Sequence, residues 1–498
     1  IYTDNQPDFT WLQPYEEKTF TQYFIPYREL GVVKNASSDL LMNIEPEGNA
    51  SRLKIFATSV QKDLHIVVVK EDEQVLDIIR DVTPEMILEE WVPVDTLTGL
   101  RVSICNSKGK LLLSWEPEPN EIKEVPEPAK AALDPKDIQT TEQLYLTGLH
   151  LEQYRHATYA ATDYYEEALS RDPDDVRNNN AMGLWLIRKG QFAKAEPYLR
   201  RAVKTLTEKN PNPYDGEPLY NLGLSLKYQG KTDEAYDYFY KACWNAAWQD
   251  AGYYSLAQLS ASKGNWEDAL YEIDKSLLRN WHNLRGRHLK AVVLRHLGRV
   301  DEALDLIRES LAIDCFNFGC SFEEYLLTGE KAVLDDLLVR MRSEGHNYEE
   351  LSLDYASAGC WEEALKVVEV AFEVVASERT LLYYYKSWFL LSLGRLKEAE
   401  MAICVAEHQS ADCCFPNALE AIKALQEVIR FADVVPKAHY YLGNLWYDKR
   451  QYPEAIAEWE KSVEQDDTFP TVLRNLSLAY FNKLDKQQEA VALLERAL

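Results

Sequence analysis

The sequence holds no apolar run approaching the ~18 residues that a membrane-spanning helix needs, which leaves a soluble protein as the expectation. It is short of positive charge: 54 Lys and Arg stand against 81 Asp and Glu, a formal net charge of −27. A field of that sign repels polyanions, which argues against nucleic acid and anionic membrane surfaces as partners. Cysteine occurs eight times, yet with no CxxC and no framework spacing. Reduced thiols and a cytoplasmic location are therefore expected. None of the nine His adjoins a Cys or another His, and His282, His288 and His296 are spread along one helical hairpin without a carboxylate or thiolate at ligand spacing. Neither a metal nor another cofactor is predicted. A starting Met is lacking as well. Opening on Ile1 inside a strand-like run and stopping at Leu498 just after a small residue, the sequence reads as an excerpt of a longer protein, so nothing follows about a signal peptide.

What is present is a recurring small residue. Ala161, Ala195, Ala235, Ala269, Ala303, Ala364, Ala399, Ala455 and Ala490 form a beat, and seven residues after each stands another Ala or Ser, from Ala168 and Ala202 to Ser462 and Ala497. Twelve residues before the beat come Gly183, Gly223, Ala257, Ala291, Ser352, Ser387 and Gly443; the first and last units slip by one, to Gly148 and Ser477. Four residues after it sits a large apolar plug such as Tyr165, Leu199, Phe239 or Trp459. Five before it a Gly usually turns the chain, as Gly190 and Gly230 do. Small residues at these places let two helices of a hairpin, and the next hairpin, approach closely.

The beats lie mostly 34 or 35 residues apart, with longer intervals before Ala235, Ala364 and Ala455. In this the chain resembles the tetratricopeptide repeat (TPR) family, whose unit is a helix-turn-helix of 34 residues. The resemblance covers roughly residues 140 to 498 and implies a mainly α fold, an α-solenoid superhelix of about nine clear units plus two degenerate ones, around 326–342 and 417–432. In TPR proteins the fifth and ninth positions of each first helix face an inner groove. Here they include Tyr220, Tyr254, His288, Tyr384, Trp388, Tyr440 and Asn444. Tyr and Trp offer large contact area at small entropic cost, so an aromatic-lined groove suits a protein or peptide, or the protein's own β domain. Several of these rings could equally pack against neighbouring helices. The TPR subclass that clamps a chaperone C-terminus uses a Lys and an Asn at these two positions; Asn444 fits, but Tyr440 stands in the place of the Lys.

Ahead of the repeats the chain is β in character. Lys18 to Ile25 alternates aromatic and Thr residues with polar ones, the pattern of a half-buried strand. Tyr2 to Glu16, with the turn Leu12-Gln13-Pro14-Tyr15-Glu16, resembles the end of the galactose-mutarotase-like domain of large bacterial proteins in which that domain (the DUF5107 family) precedes TPR units. That resemblance implies a carbohydrate partner for the upstream sheet, with Asp4, Gln6 and Trp11 as remnants of its sugar-facing wall; the alternative is a capped turn at Asp4 and a core ring at Trp11. Residues 1–50 are thus assigned to the C-terminal segment of a mutarotase-like β domain. Residues 51–116, with five strand-like runs between polar turns, are read as a small immunoglobulin-like β unit, a β-sandwich. A Pro- and Glu-rich stretch at 117–137 is a linker, and 138–498 the solenoid. Two functions follow. The first is a scaffold for protein-protein or interdomain contact, attached in the parent to a carbohydrate-binding domain. The second is part of a carbohydrate-active enzyme, of glycoside hydrolase or sugar epimerase type, whose catalytic residues lie mostly upstream of residue 1. No catalytic residue is assigned, and the fragment alone is expected to turn over no sugar.

Overall fold

The computed structural model describes residue 17 and residues 19–118, 131–154, 158–375, 380–412 and 414–498. The chain divides into two compact units, residues 1–129 and 130–498. The first is a sandwich of two four-stranded antiparallel sheets. Its strands are β1 (Asn35–Ala36), β2 (Leu40–Glu47), β3 (Ala50–Ala57), β4 (Gln61–Lys70), β5 (Glu73–Val82), β6 (Leu88–Val92), β7 (Leu100–Cys105) and β8 (Leu111–Trp115). The sheet orders are β1-β2-β3-β6 and β5-β4-β7-β8. Alternation places Leu40, Met42 and Ile44 of β2, Leu53 and Ile55 of β3, Leu64, Ile66 and Val68 of β4, and Val102 and Ile104 of β7 in one core, nearly all without exposed surface.

Two expectations are corrected here. The β unit does not begin at residue 51: β2 pairs along its whole length with β3, Leu40 opposite Ala57 and Glu47 opposite Ala50, because its alternating apolar residues need the same core. Residues 19–25 form no strand, and Phe20, Tyr23 and Phe24 are exposed. The runs read as strands beyond residue 51 correspond to β3, β4, β5, β7 and β8, while the short β6 lacked a clean alternation.

Among the described residues, the regular elements of the second unit are all helices. Its helices run in hairpins: α1 (Thr141–Gln153) with α2 (Ala161–Arg171), α3 (Val176–Arg188) with α4 (Phe192–Glu208), α5 (Glu217–Tyr228) with α6 (Thr232–Ala242), α7 (Gln249–Ser262) with α8 (Trp266–Arg279), and α9 (Leu284–His296) with α10 (Val300–Ile313). There follow α11 (Phe318–Thr328) with α12 (Lys331–Met341), α13 (Gly345–Ser357) with α14 (Trp361–Val374), and α15 (Thr380–Ser392) with α16 (Leu396–His408). A lone α17 (Leu419–Phe431) precedes α18 (Pro436–Asp448) with α19 (Tyr452–Gln465) and α20 (Pro470–Leu484) with α21 (Gln487–Ala497).

The small-residue register explains the stacking. Ala195, Ala235, Ala269, Ala303, Ala364, Ala399 and Ala455 have no exposed surface, nor have their partners seven residues on, Ala202 to Ser462. Each Gly twelve residues before the beat lies under the plug of its own hairpin: a Cβ on Gly183 would sit 2.5 Å from Leu199, one on Gly223 2.7 Å from Phe239, and one on Gly443 2.4 Å from Trp459. The slipped units obey the same geometry, since Gly148 lies under Tyr165 and Ser477 is buried while Leu478 is 42% exposed. The interval before Ala364 holds the α11–α12 hairpin. That before Ala455 holds α17 alone, which packs against both α15 and α18 and so bridges over α16.

Candidate functional site

Of the seven predicted groove residues, His288, Tyr384, Trp388 and Tyr440 are buried, and Tyr220, Tyr254 and Asn444 are half-buried. Most are engaged with neighbouring helices. Tyr384 Oη donates to Glu407 Oε1 at 2.7 Å, Trp388 meets Trp361 edge-on, Tyr440 packs on Phe469, and Asn444 Oδ1 accepts from the Trp459 indole at 3.1 Å. Asp4, Gln6 and Trp11 lie outside the described residues.

Residues far apart in sequence meet on the inner face. Tyr228 Oη of α5 donates to Glu420 Oε1 of α17 at 3.0 Å, Gln258 Nε2 of α7 to Ser357 Oγ of α13 at 2.7 Å, and Arg285 of α9 pairs with Asp354 of α13. Glycines allow the α3–α4 turn to approach α17 and the α13–α14 turn to approach α7. A Cβ on Gly190 would fall 2.4 Å from Ile422 Cδ1, and one on Gly359 2.7 Å from the Cα of Ser262. Burial governs the charges along this seam. It brings the Lys227 ammonium down to about 8 although Glu420 opposes the shift, and it pushes the Asp354 carboxyl up although Arg285 holds it down.

Between α9, α11 and α13 a cleft of about 180 Å³ remains, lined by Leu284, Arg285, His288, Phe316, Asn317, Phe318, Gly319, Asn347, Glu350, Leu351 and Asp354. Asn317 caps α11 by accepting from the Cys320 N–H at 3.1 Å, and its amide donates to Leu284 O at 3.2 Å, tying α11 to α9. His288 is 4% exposed; its ring meets Tyr355 edge-on at 4.7 Å and lies where a Cβ on Gly319 would be, 2.3 Å from Cγ. Its Nε2 is buried without a hydrogen-bond partner. Burial, ahead of the opposing Glu323, holds its pKa down to about 4, so the ring is neutral near pH 7.

Behind the cleft runs a charge network. Arg295 Nε donates to Glu323 Oε2 at 2.7 Å and its Nη2 to Glu363 Oε1 at 2.8 Å, while Tyr355 Oη donates to Glu323 Oε1 at 2.7 Å. His296, stacked on Trp266 with centroids 4.0 Å apart, lies 3.0 Å from the same Glu363 oxygen. Cys360 stands beside it, so the ligand atoms of His296, Cys360 and Glu363 lie within 4.8 Å of one another. Sequence reasoning looked for metal ligands along one hairpin and missed this trio, whose members come from α9 and the start of α14. Their chemistry fits a structural role: Arg295 occupies the carboxylate, and burial pushes the Cys360 thiol well up. For Glu363, burial raises the carboxyl, but hydrogen bonds from His296 and Arg295 outweigh it and hold it at about 2.

Among the described residues no helix is long and apolar enough to cross a membrane. Family models match in three places. The second domain of YphG-like proteins matches residues 35–115, the span of β1 to β8, and tetratricopeptide repeat models match residues 216–243 and 436–469, over α5–α6 and α18–α19. The chain therefore carries tetratricopeptide repeats, and its β unit is similar to a YphG-like domain. Among solved structures it is similar to MamA, at 21% identity over 34% of this chain and 91% of that one, with a TM-score of 0.31. A tetratricopeptide repeat protein from Parabacteroides merdae ATCC 43184 is 14% identical over 65% of this chain and 98% of its own, with a TM-score of 0.28. PilW, a type IV pilus biogenesis factor, is 24% identical over 37% and 80%, with a TM-score of 0.31.

Proposed function

We propose that this repeat protein is a scaffold on which a protein partner docks, and that the docking ground is the inner face around α9, α11 and α13. The observation that carries this reading is the uneven filling of that face. Rings from α15 and α18 are sealed against their neighbours, whereas the α9–α11–α13 cleft keeps charged and aromatic walls around unoccupied volume. The finer reading, that the parent protein attaches the scaffold to a mutarotase-like, carbohydrate-binding domain, is supported by the resemblance of Tyr2 to Glu16. In that setting the repeats would hold a partner beside a carbohydrate-active site that lies mostly upstream of residue 1.

Affinity capture from the source cells, comparing wild type with Phe316→Asp, tests the docking ground. Phe316 is 61% exposed, so the change should leave the circular dichroism spectrum intact. A polypeptide retained by wild type and lost by the variant is the expected result. Identical captured sets would remove this face from the account.

A further inference from the structure

We propose that the α9–α11–α13 cleft receives a basic side chain, lysine or arginine, of the docking polypeptide. The inference rests on the scaffold reading and names the chemistry of the segment that docks.

Charge decides the sign of the ligand. The walls hold two carboxylates, Glu350 and Asp354, one turn apart on α13, against a single cation, Arg285. Arg285 pairs with Asp354, and the ion pair of Glu350 is a long one, 3.9 Å to His346 with both side chains at least half exposed. With His288 neutral, the lining sums to one negative charge, and the whole chain at −27 draws basic segments toward it.

The deep wall supplies a reporter of occupancy, the His288 ring. His288 is buried, and its Nε2 has no hydrogen-bond partner. An ammonium or guanidinium entering the cleft would be held by the Glu350 and Asp354 carboxylates with the His288 ring beside it. At the mouth, Phe316 and Phe318 stand edge-to-face with centroids 6.2 Å apart, an apolar surface for the methylene stem and a ring face for the cation. An anionic ligand would find the α11 N-terminus, but it would also lie against two carboxylates.

The test uses the full chain with isotopically labelled histidine, the His288 ring signal being assigned by its loss in His288→Gln. Blocked pentapeptides, acetyl-Ala-Ala-X-Ala-Ala-amide with X as Arg, Lys, norleucine or Glu, are titrated and followed by NMR and calorimetry. The Arg and Lys peptides should move the His288 signal saturably while the norleucine and Glu peptides leave it in place. Glu350→Gln should weaken the Arg peptide by about fivefold with the melting temperature unchanged. An unmoved His288 signal with both basic peptides, tighter binding of the Glu peptide, or full affinity in Glu350→Gln would each overturn the proposal. If capture is lost in Phe316→Asp while the basic peptides leave His288 unmoved, the docking reading stands and only the basic residue falls. If neither responds, both fall.

Discussion

In α15 and α18 the positions turned toward neighbouring helices are rings. Tyr384, Tyr385, Trp388, Tyr440 and Tyr441 are each at most 6% exposed, with Tyr384 edge-on to Tyr441 at 5.8 Å. In α9 and α13, first helices of their hairpins as well, the cleft side carries Arg285, His288 and Asp354, of which only His288 stands at the repeat position of Tyr384 and Tyr440. The aromatic stretch is held mainly by area and dispersion among rings, with the Tyr384–Glu407 hydrogen bond as a polar tie. The polar stretch is held by charges that depend on one another, the Asp354 and Glu323 carboxylates largely out of water and the Arg285 side chain still mostly exposed. One backbone register therefore supports two kinds of inner face, one closed by its own rings with the Tyr441 hydroxyl buried among them, and one that keeps an open cleft between charged walls.

The sharpest way to break that contrast is to remove a charge from the polar stretch. Glu323 has no exposed side-chain surface and is neutralised by Arg295. Arg295→Met leaves the carboxylate with the Tyr355 hydroxyl and should cost about 3–5 kcal/mol in urea unfolding. Tyr384→Phe in the aromatic stretch removes one donor from Glu407, which still accepts from the N–H groups of Lys437 and Ala438, and should cost about 1 kcal/mol. Equal losses would erase the distinction.

Titration sharpens it further. The pKa of His288 is about 4 in the folded chain because burial disfavours the imidazolium, with Arg285 and Arg295 adding to the shift and Glu323 opposing it. The unfolded chain takes up the proton near pH 6.5, so the stability from a neutral buried His288 is complete above 6.5 and is lost as pH falls toward 4, on the order of 3 kcal/mol. His288→Gln should flatten stability across that window. The further loss expected below about pH 4.5, as Glu363 is protonated on the way to its folded value of about 2, should remain. A variant that still loses stability between pH 6.5 and 4 would show that another group is responsible.

The hairpins were legible because their signal is metric. A small residue and a plug sixteen positions apart must meet across two antiparallel helices, and Gly183 with Leu199 and Gly443 with Trp459 do. Even the one-residue slip at Gly148 and Ser477 could be read from where the small side chain fell. The lone α17 was legible as an amphipathic helix but not as one without a partner, because helix count in an interval depends on where the chain turns. Strand β2 was overlooked because Pro46 and Asn43 interrupt its apolar alternation. The seam between α5 and α17 left no local trace: it depends on the small rotation accumulated from hairpin to hairpin, which no single residue encodes. His288 was named as a groove residue, but that it would be the buried, unpartnered group in a cleft depended on Gly319 making room for its ring.

Two glycines in equivalent turns compare the seam with open surface. Gly190 and Gly230 have φ of 75° and 78°, so alanine at either carries the left-handed penalty of about 1 kcal/mol. Only at Gly190 would the new Cβ also press on Ile422 and Trp446, whereas nothing lies within 4 Å at Gly230. Gly190→Ala should therefore cost about 2 kcal/mol or more and lower hydrogen-exchange protection in α17, which Gly230→Ala should leave unchanged.

The smallest effect is expected at the same seam. Lys194 of α4 pairs with Glu454 of α19 at 2.7 Å, but the two side chains are 60% and 29% exposed. An ion pair so hydrated gives up most of its attraction to screening and to the entropy of holding a long lysine in place, so Lys194→Met should cost less than about 1 kcal/mol. The methionine also keeps the apolar stem, which separates loss of charge from loss of packing. If apolar contact at Gly190 closes the seam, unfolding of Lys194→Met should track wild type at low and high salt, and exchange protection in α17 should not change. A loss as large as that of Gly190→Ala, with wild type weakened to match by salt, would instead make the closure electrostatic, and the polar character assigned to α9 and α13 would then extend along the whole seam.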